Sequence, residues 1–223
     1  MSPHSTIRII QDEHGALSAV LRSIGLLLSE CRRHKVLPDF AILRAMLFYI
    51  DEFPEKVHHT KESRLLFPLL RARSSEQTKI LDRLDHDHTG SEGAVRELEH
   101  ELLGLEMMSN AKDAEARRDR FEASMHAYIA AYLEHIGTEE RLILPLAERV
   151  LTPADWVELD AAFMENRDPL THREPDDEYR PLFKRILMNM PSPLGLGPAM
   201  EAMRTAYPGR EGDSMQGKYS KRE

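Results

Sequence analysis

Histidine and glutamate recur together at two places in the chain. His58 precedes Glu62 by four residues, and His135 precedes Glu139 by the same interval. The surrounding segments align without a gap on the frame H-x-x-x-E-x-R-L-φ-φ-P-L, in which φ is an apolar residue. Residues four apart share one face of a helix, about 5–6 Å apart at Cβ, so each pair can bind one ion or place its carboxylate between two. A single pair of this kind is usually a solvated ion pair, but two copies in an internal repeat indicate a metal site.

A further histidine precedes each copy of the repeat. His14 ends the run D-E-H, and His88 ends the run D-H-D-H. Apolar residues follow both histidines at the seventh and tenth positions, and this matched spacing favours His88 over His86. At 100° per residue, His86 points about 160° away from His88. The repeat therefore predicts two helical hairpins related by approximate twofold symmetry, each with one histidine on its first helix and H-x-x-x-E on its second.

The combined set contains four imidazoles and two carboxylates. Its members are His14, His58, Glu62, His88, His135 and Glu139. This mixture of nitrogen and oxygen donors suits a redox-active first-row metal such as iron, whereas calcium and magnesium prefer all-oxygen sites. Two carboxylates can bridge two metals while two histidines bind each metal, which leaves open positions for a small ligand. The residues therefore predict a two-metal site that reacts with a small molecule.

Most of the other histidines are expected at the surface, namely His4, His34, His86, His100, His126 and His172. His59 is expected either to support its neighbour His58 or to be solvated. Tyr128 and Tyr132 lie on the ligand face of their predicted helix, at helical spacing from His135. Two interpretations of these tyrosines remain open, which are packing in the core and hydrogen bonding to the groups that surround the metals.

Long helices with short connections must position these residues. The apolar spacing predicts helices over about 6–34, 39–73, 75–108 and 112–150. Ser5 is the expected N-cap of the first helix, and a kink or short break is expected at Pro54 in the second. The predicted fold class is therefore all-α, with an antiparallel up-down-up-down four-helix bundle over residues 5–150.

A short helical extension is expected over residues 151–190. Thr152-Pro-Ala-Asp155 has the pattern of an N-cap, a proline at the first helical position and an acidic residue in the first turn, and the helix is expected to end near Asn166. A second amphipathic helix is predicted over about 177–190. Residues 191–223 begin with the linker-like run PSPLGLGP, followed by a possible short helix over 200–207 and a tail from Pro208 that is predicted to be disordered.

The composition excludes several classes of protein. The sequence has 223 residues with 41% hydrophobic residues, and its formal net charge of −8 disfavours nucleic acid or an anionic membrane as the main partner. No apolar run approaches the ~18 residues of a membrane span, and the N-terminus lacks a secretory signal pattern. Cys31 is the single cysteine, so an intrachain disulfide and a thiolate metal cluster are both excluded. A reducing cytoplasm is the simplest compartment.

The motifs resemble those of the hemerythrin-like (HHE cation-binding) domain family in its bacterial form. An E-H pair near the start, H-H-x-K-E, a central D-H pair and H-x-x-x-E-E occur in family order over about residues 5–150. The resemblance implies a four-helix bundle with a non-haem di-iron centre. Its ligands carry over onto His14, His58, Glu62, His88, His135 and Glu139, with the two glutamates as bridges.

One departure from the family pattern affects the expected chemistry. Oxygen-carrying hemerythrins have a fifth histidine one helical turn from a ligand on the third helix, whereas the positions one turn from His88 are Leu84 and Glu92. Leu84 would leave a vacancy, and Glu92 would be either an extra carboxylate ligand or a surface residue. The vacancy predicts a reduced protein that reacts readily with O2 and NO but is oxidised by O2 rather than holding it reversibly.

Three classes of function remain open. The favoured one is a di-iron protein that binds or senses O2, NO or peroxide without turnover, in a stress or iron-homeostasis role. The second is a di-iron enzyme that reduces a small molecule or aids iron-centre repair, although the repair proteins of the family commonly carry a cysteine-bearing N-terminal domain that does not precede the first helix here. The third is a metal store or structural site, with zinc or manganese as alternatives to iron. Either of the first two requires a separate redox or signalling partner protein.

Overall fold

The computed structural model describes residues 4–166, without the side chain of Glu92, together with Asp168, Leu170, Thr171 and four helical positions between 181 and 188. Over these residues the structure is all-helical and contains no strand, which confirms that the protein is all-α as predicted. Within residues 4–166 five helices are formed: α1 (Ser5–Arg33), α2 (residues 40–73), α3 (Thr78–Met107), α4 (residues 114–150) and α5 (Pro153–Phe163). No helix in this part of the protein combines the length and apolarity that a membrane span needs.

Two of these helices change their hydrogen-bonding pattern along their length. Helix α2 is α-helical over Phe40–Ile50, π-helical over Asp51–His58, α-helical over His59–Lys61, π-helical over Glu62–Leu66 and α-helical over Phe67–Arg73. Helix α4 is α-helical over Ala114–Thr138, π-helical over Glu139–Ile143 and α-helical over Leu144–Val150. The kink or break expected at Pro54 takes the form of the first π-helical stretch, and α2 continues through it.

A π-helical stretch begins at each glutamate of the repeat, Glu62 and Glu139. A proline follows each stretch, Pro68 in α2 and Pro145 in α4, at the start of the next α-helical segment. Proline lacks the N–H that an α-helix would bond to the carbonyl four residues earlier, and single π turns are frequent at functional sites. The repeat in the sequence thus has a counterpart in the backbone, directly at the two predicted bridging residues.

The predicted ligands form a polar layer between two apolar clusters. Helix α1 packs against α2, α4 and α5, and α3 packs against α2 and α4. On each of α1 to α4, the predicted ligands lie in sequence between a buried residue of one cluster and a buried residue of the other. The flanking residues from the larger cluster are Leu17, Phe53, Val95 and Tyr132. Those from the cluster around α5 are Ile10, Leu66, Leu84 and Ile143. Apolar packing on both sides therefore fixes the height of the polar layer in the helical core.

Helix α5 begins as predicted and packs against the ends of α1 and α2. Thr152 and Asp155 form a reciprocal capping box at its N-terminus, and Arg73 binds the Asp155 carboxylate through two hydrogen bonds of 2.8 and 2.9 Å. The prediction that Ser5 caps α1 is wrong, because the helix already includes Ser5. The backbone N–H of Thr6 instead donates to Asp160 of α5 at 2.8 Å, so a distant carboxylate replaces the local cap.

The rest of the predicted C-terminal region lies largely outside the described residues. Of the second amphipathic helix, Pro181, Lys184, Ile186 and Met188 are described as helical, and Ile186 is buried in the larger apolar cluster. His172, the linker-like run, the predicted helix over 200–207 and the tail from Pro208 lie outside the described residues.

Candidate metal centre

All six predicted ligands are buried, and the structure brings them together from four helices. His14 lies on α1, His58 and Glu62 on α2, His88 on α3, and His135 and Glu139 on α4. None of the six is more than 9% exposed. Burial of two carboxylates and four imidazoles in one layer is costly unless they are paired with one another or with a cation.

The first pair of histidines joins α1 to α2. The Nε2 atoms of His14 and His58 lie 3.1 Å apart. His14 Nε2 also lies 3.2 Å from Oε2 of Glu139, and His58 Nε2 lies 3.3 Å from Oε2 of Glu62. One donor atom from each of these four residues falls within 4.8 Å of every other, which is a spacing that a single metal ion can span.

The second pair joins α3 to α4. The Nε2 atoms of His88 and His135 lie 3.0 Å apart. Oε1 of Glu139 lies 3.3 Å from His135 Nε2 and 3.7 Å from His88 Nε2, and Oε2 of Glu62 lies 3.6 Å from His88 Nε2. Each glutamate therefore faces a histidine of both pairs, and Glu139 directs a different oxygen to each pair. This is the arrangement expected of carboxylates shared between two metals.

The outer nitrogen of every predicted histidine ligand has a polar partner. His58 Nδ1 lies 2.7 Å from Glu13, His14 Nδ1 lies 3.3 Å from Glu140, and His135 Nδ1 lies 3.4 Å from Asp87. His88 Nδ1 lies 2.8 Å from the Ser63 hydroxyl. Metal-binding histidines typically donate their second ring N–H to such a group, which fixes the ring and leaves the other nitrogen free to bind. The Nε2 atoms of all four rings consequently face the centre.

Facing Nε2 atoms at this distance need a proton or a metal ion between them. If Nδ1 carries the proton on both rings, two lone pairs oppose each other at 3.0–3.1 Å, and either a shared proton or a metal must separate them. Burial opposes a charge on His58, but Glu62 and Glu13 raise the pKa of its imidazole well above the usual range. Burial also opposes a charge on His135, but Glu139 raises the pKa of its imidazole to about 8. Protons and metal ions therefore compete for these nitrogens.

The carboxylates give the sharpest indication that a metal ion fits. None of the four side-chain oxygens of Glu62 and Glu139 has a hydrogen-bond partner within the described structure, although both residues are buried. Burial would raise the pKa of Glu139, but His135, His14 and His88 hold it well below its usual value, so the carboxylate is ionised. Buried carboxylate oxygens without donors, beside imidazole nitrogens, suit iron, zinc or manganese.

His59 is a buried member of this layer, which excludes the solvated side chain among the two alternatives expected at this position. Its ring stacks on that of His88 with centroids 4.0 Å apart. Its Nδ1 lies 3.1 Å from Glu55 Oε2, and the Tyr132 hydroxyl lies 2.8 Å from its Nε2. One ring nitrogen each from His59, His88 and His135 falls within 4.8 Å of the others. Consecutive residues on a regular helix point about 100° apart, so helical periodicity alone does not bring His59 to the same layer as His58.

The two tyrosines pack in the core and also make hydrogen bonds. Tyr132 donates to His59, and Tyr128 donates to Oε1 of Glu55 at 3.2 Å. Ser91 also donates to Glu55. Burial raises the pKa of the Glu55 carboxyl despite these donors. Both interpretations of the tyrosines therefore hold, with the hydrogen bonds directed to His59 and its partner.

A cavity of about 280 Å³ reaches this layer between α3 and α4. His59, Tyr132 and His135 line its inner part, and the exposed residues His86 and Ala131 also border it. A cavity of this size admits diatomic molecules, peroxide or water to the edge of the histidine layer.

Four other histidines lie at or near the surface. His34, His100 and His126 are exposed as expected, and His4 is partly exposed and stacks on Trp156. Leu84 is buried in the apolar cluster around α5 and offers no donor. The side chain of Glu92 lies outside the part of the protein that the structure describes.

Comparison with known proteins gives one family. The family model described as the hemerythrin HHE cation binding domain matches residues 5–147. No curated protein matches the chain significantly.

Proposed function

The chain belongs to the hemerythrin HHE cation-binding domain family, and we propose that it holds a non-haem di-iron centre that binds or senses O2, NO or peroxide. His14 and His58 would bind one iron, His88 and His135 the other, and Glu62 and Glu139 would bridge them. The proposal includes an antiparallel up-down-up-down arrangement of α1 to α4 over residues 5–150. It also includes a helical extension over 151–190, a tail over 191–223, and a stress or iron-homeostasis role in the cytoplasm.

The observation that carries this proposal is the pair of buried glutamates whose oxygens face imidazole nitrogens but have no well-directed hydrogen bond in the described structure. A carboxylate buried among apolar helices needs a compensating positive charge. Protonated histidines can supply one, but none of the four oxygens of Glu62 and Glu139 has a well-directed hydrogen bond in the described structure, although imidazole nitrogens lie 3.2–3.7 Å away. Two divalent cations in the same layer would satisfy both carboxylates and all four facing Nε2 atoms. Family membership independently favours a cation at this position.

The residues around the centre have distinct roles in this proposal. Glu13, Glu140, Asp87 and Ser63 hold the four imidazoles so that their Nε2 atoms point inward. The apolar clusters above and below the layer exclude water, and the cavity beside Tyr132 admits a small molecule. When bound, a pair of ferrous ions supplies open coordination positions and reducing electrons. The protein determines which molecules reach them.

The cavity favours small-ligand binding over a metal store or a structural zinc or manganese site. Structural metal sites are closed by protein ligands, whereas reactive sites keep an open position. The alternative of an enzyme that reduces a small molecule, or aids iron-centre repair, has support from Glu55. Burial raises the pKa of this carboxyl, which lies 3.1 Å from His59 Nδ1 and is the candidate proton donor or acceptor beside the histidine layer. That alternative and the sensing role both need a separate partner protein for electrons or signal output.

Metal analysis combined with optical spectroscopy tests the proposal. We expect two irons per chain in protein purified without added metal, and a change in the absorption spectrum when the anaerobic reduced protein is mixed with NO or O2. Repeated lowering of the O2 pressure then tests the prediction that O2 oxidises the protein rather than binding reversibly. Two tightly bound zinc ions with no uptake of iron would favour the structural alternative. Turnover of peroxide or NO with an added reductant would favour the enzyme.

A further inference from the structure

We propose that His59 is a third nitrogen ligand of the metal held by His88 and His135, which makes the two halves of the centre unequal. The inference rests on the proposed two-metal centre for the presence of a metal. It concerns a residue outside the six that the repeat predicts. One metal would have the imidazoles of His59, His88 and His135, and the other would have those of His14 and His58.

The position of His59 supports this assignment. The residue is buried at 4% exposure, and its ring stacks nearly parallel to that of His88, with centroids 4.0 Å apart and planes inclined by 15°. Its ring centroid lies 5.4 Å from that of His135. One nitrogen of each of the three rings falls within 4.8 Å of the other two. Three imidazoles gathered in this way can bind one metal ion.

His59 is also held in the same manner as the four predicted histidine ligands. Its Nδ1 lies 3.1 Å from Glu55 Oε2, and Glu55 is itself buried and accepts hydrogen bonds from Ser91 and Tyr128. A buried carboxylate on Nδ1 sets the tautomer and leaves a lone pair on Nε2, as is usual for metal-binding histidine.

Tyr132 competes with a metal for that lone pair. Its hydroxyl donates to His59 Nε2 at 2.8 Å, so the nitrogen that would bind the metal already has a hydrogen bond in this structure. A metal can bind His59 only after this hydrogen bond is broken. Removing the hydroxyl should therefore strengthen metal binding at this half of the centre. If His59 merely packs beside the centre, the same change should not strengthen it.

The assignment also changes the expectation drawn from Leu84. That residue is buried in an apolar cluster and offers no donor, so α3 supplies a single histidine to the layer. His59 on α2 would supply the fifth imidazole of the layer. The centre would then have five imidazoles and two carboxylates, with the fifth imidazole on α2 rather than on α3.

The test compares His59→Gln, Tyr132→Phe and His86→Gln with the wild type. Glutamine retains polar groups that can hydrogen-bond to Glu55 and Tyr132 but is a poor metal ligand, and His86 is an exposed histidine at the same cavity. Ferrous iron is titrated anaerobically, and ⁵⁷Fe Mössbauer spectra are recorded for each loaded protein. We expect two distinct iron signals in the wild type. In His59→Gln, one signal should change and one dissociation constant should rise at least about tenfold, as for loss of a group that supports a metal site.

The control and the second variant make the outcome decisive. His86→Gln should match the wild type, and Tyr132→Phe should bind the second iron more tightly than the wild type. If His59→Gln binds two irons with wild-type constants and an unchanged spectrum, His59 is not a ligand while the di-iron proposal stands. If the wild type itself does not bind two metals, the result contradicts the proposed di-iron centre and not the assignment of His59 alone. Should His59→Gln lose helicity, Tyr132→Phe decides alone, and binding of the second iron no tighter than in the wild type would overturn the assignment.

Discussion

The Nε2 atoms of His14 and His58 lie 3.1 Å apart in a buried layer, although 44 residues separate the two histidines in the sequence. Each ring is oriented by an acidic partner on its other nitrogen, Glu140 for His14 and Glu13 for His58. Two imidazoles held in this way bring their basic nitrogens, which come from two different helices, next to each other. The same relationship recurs between His88 and His135 at 3.0 Å, and the four residues define the two halves of the proposed centre.

Replacing Glu62 and Glu139 together with alanine should abolish binding of two metals. Both side chains are buried and face histidines of both pairs, so their loss removes the carboxylates that the two metals would share. Elemental analysis measures the metal content, and circular dichroism should show that the helices remain. Glu97→Ala with Glu148→Ala is the matched control, since both residues are exposed. Unchanged stoichiometry in the double variant would contradict the two-metal proposal.

His88, rather than His86, should be required for metal binding. His88 Nε2 lies 3.0 Å from His135 Nε2, whereas the side chain of His86 is exposed at the border of the cavity. His88→Ala should lower the metal content of the purified protein, and His86→Ala should leave it at the wild-type level. Loss of metal in His86→Ala but not in His88→Ala would show that His86, rather than His88, is the ligand on α3.

Narrowing the cavity should slow access of a small ligand without removing metal. Ala131 is exposed and lines the cavity on α4, so Ala131→Leu places a larger side chain at this opening. We expect the association rate of NO with the reduced protein, measured by stopped-flow absorption, to fall severalfold at unchanged metal content. Ala116→Leu, at an exposed position elsewhere on α4, is the control. Equal rates in both variants would mean that ligands enter by another path.

Asp168 should make the stability of the metal-free protein depend on pH. Burial raises its carboxyl pKa to about 6, although the Leu170 N–H and the Tyr49 hydroxyl donate to it. The folded state therefore binds more protons than the unfolded state between pH ~4 and ~6, and the free energy of unfolding falls as pH rises through this window, by roughly 2–3 kcal/mol.

The asparagine variant tests this contribution. Asp168→Asn cannot titrate, so chemical unfolding at several pH values should show a smaller decline between pH ~4 and ~6 than in the wild type. Subtracting the two curves removes the titration of the histidine layer, which both proteins share. Parallel curves would show that Asp168 has an ordinary pKa in the folded protein.

Thr152→Ala should destabilise the protein by about 1 kcal/mol, the usual effect of removing an N-cap side chain. The Thr152 hydroxyl accepts from the Asp155 N–H, and Asp155 in turn binds Arg73 of α2. Thr89→Ala on α3 is a matched control, because the Thr89 hydroxyl is exposed and bonds within its own helix. Urea unfolding of both variants measures the difference, and an equal effect would show that the cap contributes no particular stability.

Features that depend on local spacing follow from the amino-acid sequence alone. Residues four apart share a helical face, so the H-x-x-x-E repeat is sufficient to place Glu62 beside His58 and Glu139 beside His135. The same periodicity separates His88 from His86 and predicts the all-helical fold. The capping box of α5 is also readable from the sequence, because its residues bond within one turn.

Features that depend on contacts between distant segments required the packed helices. Asp160 replaces a local N-cap of α1 because α5 folds back against Thr6, 154 residues away in the sequence. His59 lies beside His88 because α2 becomes π-helical on both sides of the segment His59–Lys61, which departs from the regular 100° step of an α-helix. Periodicity assigns a residue to a face of its own helix. Packing of four helices determines which faces meet, and therefore which nitrogen and oxygen atoms share one buried layer.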